Sequence, residues 1–296
     1  MATIRRDGVE LAYDEAGSGP AVLFVHAGIA DRRMWEHQFL ALSARHRVIR
    51  YDWRGYGESG DAAGEFAHHE DLLAVLDALG VERAALVGCS MGGAYALDAA
   101  LAAPARVTAL ALVCSGLSGH AWPAEMLEQA RVRVHSAVPA DRLRRYRTGE
   151  AETVDAADVA AMAEAQVRWQ VAGPDRGRED LDPAVWEAAV AMCRGVFERL
   201  WSGPPSAERR LDPPAKGRLD EIEVPTLVVS GLADVPQIQA VSDLLTDGIA
   251  GARRLDLPRT GHLPPLERPV ETTSALAEFL GAPHRPAGRP GRGDAR

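Results

Sequence analysis

Apolar positions along the chain fall into two patterns, short continuous runs and longer stretches with a three-to-four-residue repeat. Residues 21–26 form a continuous apolar run, which predicts a strand buried on both faces, and 46–51 reads as a second buried strand, with 84–87 and 107–113 as a third and a fourth. Helical spacing fills the gaps between them. It covers residues 31–44, with Trp35, Phe39 and Leu42 on one side, and residues 70–79, with Leu72, Leu73, Leu76 and Leu79 aligned ahead of Gly80. A third helix is expected at 94–103, stopped by Pro104. Ahead of all of these, residues 2–15 read as a hairpin turning at Asp7-Gly8, a favoured two-residue turn. The alternation returns late in the chain, with strands at 225–230 and 253–257 and helices at 238–245 and 270–280. Strands alternating with helices imply an α/β fold with a mostly parallel, doubly wound sheet.

Between residues 117 and 219 the strand signal disappears. Only Ala-, Glu- and Arg-rich helical stretches remain, broken by Pro139, Gly173-Pro174, Pro183, Pro204-Pro205 and Pro213-Pro214. The expected organisation is a core formed by 1–116 and 220–281, with 117–219 inserted as a helical cap between two sheet strands. Residues 282–296 are rich in Pro, Gly and Arg without an apolar pattern, and are expected to be disordered.

Composition narrows the class. A chain of 296 residues, 47% hydrophobic and 25% charged, buries enough apolar surface to fold without disulfides or a structural metal. No run approaches the ~18 apolar residues of a membrane span. The first residues lack the apolar stretch of a signal peptide, so a cytoplasmic location is expected. Cys89, Cys114 and Cys193 have no metal-ligand spacing and read as reduced structural thiols. A net charge of −9 argues against nucleic acid or an anionic membrane as partner and leaves a small molecule. Monomer and homodimer both stay open. Lys216 is the only lysine, a bias shared with the abundance of Ala, Arg, Gly and Pro.

The sharpest chemical signal is Gly88-Cys89-Ser90-Met91-Gly92-Gly93, directly after one expected strand and directly before a helix. A serine on so tight a turn needs small neighbours at −2 and +2, where Gly88 and Gly92 stand. Cys89 has Val87 and Met91 at those positions and reads as a buried strand residue. A serine hydroxyl is a weak nucleophile without a base, and the base needs an orienting acid. His262, after the last strand, is the candidate base, and Asp234, after the strand at 225–230, the candidate acid. Each follows its own strand, on the sheet edge where open α/β sheets carry their sites. The loop after 107–113 offers Cys114, Ser115 and Gly116, with no rival acid. Oxyanion donors are expected from the backbone N–H of Met91 and of Gly28, with Ile29 the neighbouring alternative.

These motifs resemble the α/β-hydrolase superfamily over about residues 1–116 and 220–281. His26-Ala27-Gly28 is similar to the family's His-Gly-x, with Ala27 in place of the common glycine. Asp52-Trp53-Arg54-Gly55-Tyr56-Gly57-Glu58-Ser59 matches its D-x-R-G-x-G-x-S turn, and Gly261-His262 with Glu267 and Pro269 matches its C-terminal histidine segment. The spacing from His26 to Arg33-Met34-Trp35, and Ser90-Met91-Gly92-Gly93, are similar to the 3-oxoadipate enol-lactonase branch. Relatives such as haloalkane dehalogenases and epoxide hydrolases carry aspartate where Ser90 stands. The resemblance therefore implies a cofactor-free serine hydrolase acting on a small-to-medium ester or lactone. Carbon–carbon bond hydrolysis, cofactor-free perhydrolysis, and a non-hydrolytic ligand-binding or biosynthetic role remain alternatives on the same scaffold.

Other features have plainer readings. Asp52 and Arg54 suit a hydrogen-bonded turn, and His26 an oriented packing residue. His68-His69-Glu70-Asp71 offers only His68 and Asp71 to one helix face, too few ligands for a metal. Trp122, Trp169, Trp186 and Trp201 lie in the inserted segment. Trp122, near its start, is the candidate for substrate contact, alongside Ile29, and the others for holding helices together. Arg142, Arg144, Arg145 and Arg147 read as a solvated helix face.

Overall fold

The computed structural model describes residues 2–282; the expectation for the tail beyond falls outside the described residues. The hairpin forms as β1 (Ala2–Arg6) and β2 (Val9–Ala16), turning through Asp7 and Gly8, both at positive φ. The expected strands form as β3 (Ala21–Val25), β4 (Arg47–Tyr51), β6 (Ala84–Cys89), β7 (Val107–Val113) and β9 (Thr226–Gly231), and β10 (Arg253–Leu257) closes the set. Two short strands, β5 (Gly64–Phe66) and β8 (Ser206–Glu208), pair separately in parallel. The main sheet has eight strands in the order β1-β2-β4-β3-β6-β7-β9-β10, and only β2 runs against the rest.

Each interior strand serves two cores at once. Val22 and Phe24 of β3 join Val48, Val87, Ala111 and Val229 on one face, while Leu23 and Val25 join Ile49, Leu86, Leu112 and Val228 on the other. A strand buried on both sides has no polar face to show, which is why its sequence does not alternate. The first face is covered by α1 (Glu36–Leu42) and α10 (Pro269–Gly281), the second by α2 (His68–Ala78), α3 (Met91–Ala102) and α8 (Pro236–Gly248).

Between β7 and β9 the chain forms α4 (Ala124–Arg133), α5 (Ala140–Thr148), α6 (Ala156–Gln166) and α7 (Pro183–Ser202). Their apolar side chains are continuous with the first core. Tyr146 of α5 stacks on Trp201 of α7 at 4.8 Å, and Trp186 lies beneath the guanidinium groups of Arg168 and Arg178. Arg142 and Arg144 are ion-paired with Asp155, Asp158 and Glu150. α6 runs directly into a π-helical turn, Val167–Ala172.

Two expectations need correction. The helix expected over 31–44 is a 3₁₀ turn, Arg32–Trp35, before α1 begins, because Arg32 is drawn into the core by Asp14, Asp52 and Glu58. The stretch expected to lack strands contains β8. Three residues are too few for any periodic signal, and pairing with β5 alone creates the strand. Among the described residues no helix is long and apolar enough to cross a membrane.

Candidate active site

β6 is buried along its whole length and ends at Cys89, so the chain must turn sharply to start α3 at Met91. Ser90 makes that turn with φ 56° and ψ −123°, a conformation that L residues rarely adopt. Its surroundings enforce it. The Ser90 N–H donates to the Val113 carbonyl at 3.0 Å, and the Ser90 carbonyl accepts from Gly93, Ala94 and Gly116. A Cβ on Gly88 would stand 2.3 Å from the Gly92 carbonyl oxygen, and one on Gly92 2.2 Å from that of His26. Only hydrogen fits at either position.

His262 and Asp234 reach the serine from the ends of β10 and β9. The Asp234 carboxylate is buried and accepts from the Val235 N–H at 2.7 Å through one oxygen and faces His262 Nδ1 at 2.6 Å through the other. A carboxylate can only accept here, so Nδ1 carries the hydrogen, and the Nε2 lone pair faces Ser90 Oγ at 2.8 Å. His262 is fully buried, whereas Ser90 is half-buried. Three side chains from separate loops thus form one continuous hydrogen-bonded line.

Two buried thiols pack against the histidine loop. Cys89 and Cys114 approach the carbonyls of His262 and Gly261 at 3.6 and 3.8 Å. Burial, with Asp234 nearby, pushes both thiols well above their ordinary pKa. Cys114, Asp234 and His262 lie close enough for ligand atoms to converge. A protonated thiol and an Nδ1 already bonded to a carboxylate are nevertheless poor metal donors.

The loop after β3 lies beside the serine turn: a Cβ on Gly28 would sit 2.7 Å from Met91 Sδ. Among the described residues, no protein acceptor takes the N–H of Gly28, Ile29 or Met91. His26 anchors this loop. Its Nδ1–H donates to the Ala27 carbonyl at 2.8 Å, its Nε2 accepts the Trp53 N–H at 3.1 Å, and burial pushes its pKa down so that it stays neutral. Asp52 accepts from the N–H groups of Arg32 and Glu58, and Arg54 pairs with Asp71 through two bonds of 2.6 Å. With Asp71 committed to Arg54, the segment beginning at His68 has no converging ligand set. His68 itself is neutral, pushed by burial to about 3.

A cavity of about 230 Å³ opens beside the turn, with Tyr56, Phe66, His68, Met91, Tyr95 and Val196 among its walls. Met91 lines it, and neither Ser90 nor Ile29 nor Trp122 does. Trp122 is half-buried, edge-on to His120 and packed against apolar side chains of both cores. Sequence reasoning missed Arg176 and the π-helical turn beside it. Arg176 reaches Glu267 and the Arg259 carbonyl, and the turn's Gln170 carbonyl accepts the His262 N–H. Glu267 sits in the quoted histidine segment, but no pattern connects it to an arginine 91 positions earlier.

The sequence model for the alpha/beta hydrolase fold matches residues 20–269. A Variovorax paradoxus protein provisionally named carbamate hydrolase RutD is 31% identical over 256 residues, covering 81% of this chain and 84% of that one. A 3-oxoadipate enol-lactonase from Acinetobacter baylyi is 38% identical over 96 residues, 31% of this chain and 36% of that one. The first curated relatives, which include epoxide hydrolases, are matched over only 34–40% of their own length. Among solved structures, the enol-lactonase from Burkholderia xenovorans LB400 superposes with a TM-score of 0.69 at 26% identity, over 95% of this chain and all of that one. The chain belongs to the α/β-hydrolase family.

Proposed function

We propose that this hydrolase cleaves small-to-medium carboxylic esters or lactones through an acyl-enzyme on Ser90. The observation that carries the reading is the line from Ser90 Oγ through His262 to Asp234, at 2.8 and 2.6 Å. In this reading the Ser90 hydroxyl attacks the carbonyl carbon as its proton passes to His262 Nε2. The amides of Met91 and Gly28, or Ile29 in its place, meet the oxyanion. Each well-aligned donor lowers the barrier by about 3–4 kcal/mol. Collapse of the tetrahedral species expels the alkoxide, which takes the proton from Nε2. Water then gives a proton to Nε2 and attacks the acyl carbon, and a second collapse releases the acid and restores the Ser90 hydroxyl. Asp234 holds the imidazole tautomer and stabilises its charged form throughout. The serine at position 90 supports this chemistry over an aspartyl-ester route like that implied for epoxide hydrolases. The lactonase and esterase relatives favour an ester or lactone carbonyl. Residues 117–219 act as the cap over the site in this reading, with Trp122 and Ile29 as substrate contacts.

The test is hydrolysis of p-nitrophenyl esters from acetate to decanoate and of a lactone set, with Ser90→Ala beside the parent. Turnover that falls at least several hundred-fold in a folded Ser90→Ala protein supports the reading, and near-full activity in that variant overturns it. Labelling of the parent by a fluorophosphonate, lost in Ser90→Ala, separates a competent nucleophile from a pure ligand-binding site.

A further inference from the structure

The π-helical turn Val167–Ala172 and the loop carrying His262 are joined through main-chain atoms on both sides of the histidine. The last carbonyls of a helix lack partners within it. Here the Gln170 carbonyl accepts the His262 N–H at 3.2 Å, and the Val171 and Ala172 carbonyls accept from Arg176 at 3.4 and 2.5 Å. The same guanidinium donates to the Arg259 carbonyl at 2.6 Å and grips the Glu267 carboxylate with two groups, at 2.7 and 3.3 Å. Glu267 in turn accepts the N–H of Gly261, the residue before His262, at 2.7 Å. Gly261 also packs tightly against the turn, since a Cβ there would stand 1.9 Å from the Val171 carbonyl oxygen. At the turn's end, a Cβ on Gly173 would be equally close to the carbonyl of Ala233, the neighbour of Asp234.

We infer that Arg176 and Glu267 are positioning residues for His262, fixing its ring between Asp234 and Ser90. The pair is largely buried, with side chains 14% and 9% exposed. A buried ion pair is a weak source of net stability, because desolvation offsets the attraction. It is a strong source of geometry, because a forked guanidinium and a carboxylate accept only one arrangement. All of its remaining bonds end on backbone that leads into or packs on the histidine loop. The inserted segment is therefore, at residues 167–176, part of the histidine's support.

This inference rests on His262 acting as the base, so one readout has to be independent of turnover. The experiment compares the parent with Glu267→Ala, Glu267→Gln and Arg176→Met. It follows kcat and KM for a p-nitrophenyl ester, the pH profile of kcat/KM, the fluorophosphonate labelling rate and the far-downfield proton resonance of His262 Nδ1–H, assigned by its loss in Asp234→Asn. Glu267→Ala and Arg176→Met are expected to lower kcat about 10- to 100-fold, the scale of a small misplacement of a catalytic group, with KM within about 3-fold. Labelling slows in parallel, the acid limb of the pH profile moves, and the His262 resonance broadens or shifts. Glu267→Gln keeps an acceptor for the Gly261 N–H and recovers most of the rate. Folded variants that lose melting temperature but keep kcat, pH profile and resonance overturn the inference. If the parent neither turns over esters nor labels, the functional reading fails, and the resonance alone decides the positioning role. If Glu267→Ala does not fold, Arg176→Met carries the expected loss, read against Glu267→Gln and the parent.

Discussion

The imidazole of His26 stacks on the indole of Trp53 at 4.0 Å and also accepts that residue's backbone N–H. Both ring nitrogens are spent on backbone, one on its own loop and one on the turn after β4. His26 therefore fixes where the Gly28 N–H points without itself reaching the serine. Replacing it with alanine is expected to lower kcat about 10- to 100-fold while KM changes little, because the proposed oxyanion donor on this loop would be used mainly in the transition state. Steady-state kinetics on one ester checks this, and an unchanged kcat in the folded variant refutes it.

The turn at Ser90 tolerates no methyl group on either flank. Gly88→Ala and Gly92→Ala each drive a Cβ into backbone oxygens that cannot move without shifting β6, α3 or the His26 loop. Each is expected to cost about 3 kcal/mol or more and to abolish fluorophosphonate labelling in whatever protein folds. Urea unfolding together with the labelling assay decides it.

His68 makes stability depend on acid. Its folded pKa is pushed by burial to about 3, against an ordinary value of 6.5. Below 6.5 the unfolded chain binds a proton that the native state refuses, so stability falls as pH drops and rises as pH climbs. Between pH 6.5 and 5 this amounts to roughly 2 kcal/mol, at about 1.4 kcal/mol per unit. His68→Gln is expected to lose that much less than the parent between pH 7 and pH 5 in urea titrations. Equal losses would contradict it.

Asp98 works in the opposite sense. Burial raises its folded pKa to about 6, although the Ser118 hydroxyl donates to it at 2.6 Å. The native state takes up a proton before the unfolded chain does, so the ionised group costs stability above pH 6, up to about 3 kcal/mol. Asp98→Asn keeps an acceptor for Ser118 and is expected to be more stable than the parent at pH 8, with the gain shrinking toward pH 4. A variant less stable at pH 8 would show that the charge is needed there.

Two tryptophans of the inserted segment are expected to separate cleanly. Trp201 is 5% exposed and stacked on Tyr146, so Trp201→Ala should cost about 3–5 kcal/mol without changing the ester chain-length preference. Trp122 is half-buried, and Trp122→Ala is expected to shift that preference with little loss of stability. Melting curves and the p-nitrophenyl ester series measure both effects, and the reverse pattern would exchange their roles.

The sequence by itself determined the features that depend on near neighbours along the chain. Largely apolar runs marked β3, β6 and β7 because a strand buried on both faces has no polar side. Gly88 and Gly92 marked the serine turn because backbone crowding there excludes any Cβ. The order of Ser90, Asp234 and His262, each after its own strand, followed from the alternation of strands and helices. Tertiary structure alone decided the rest. β5 and β8 exist only because they pair across 139 or more intervening residues. The 3₁₀ turn at Arg32–Trp35 follows from three carboxylates that converge on Arg32 after folding. The grip of Arg176 on Glu267, and of Gln170 on His262, joins an inserted helix end to a loop after the last strand. Such contacts leave no periodic trace in the chain, because partners far apart in sequence meet only when the sheet and its insertion have packed.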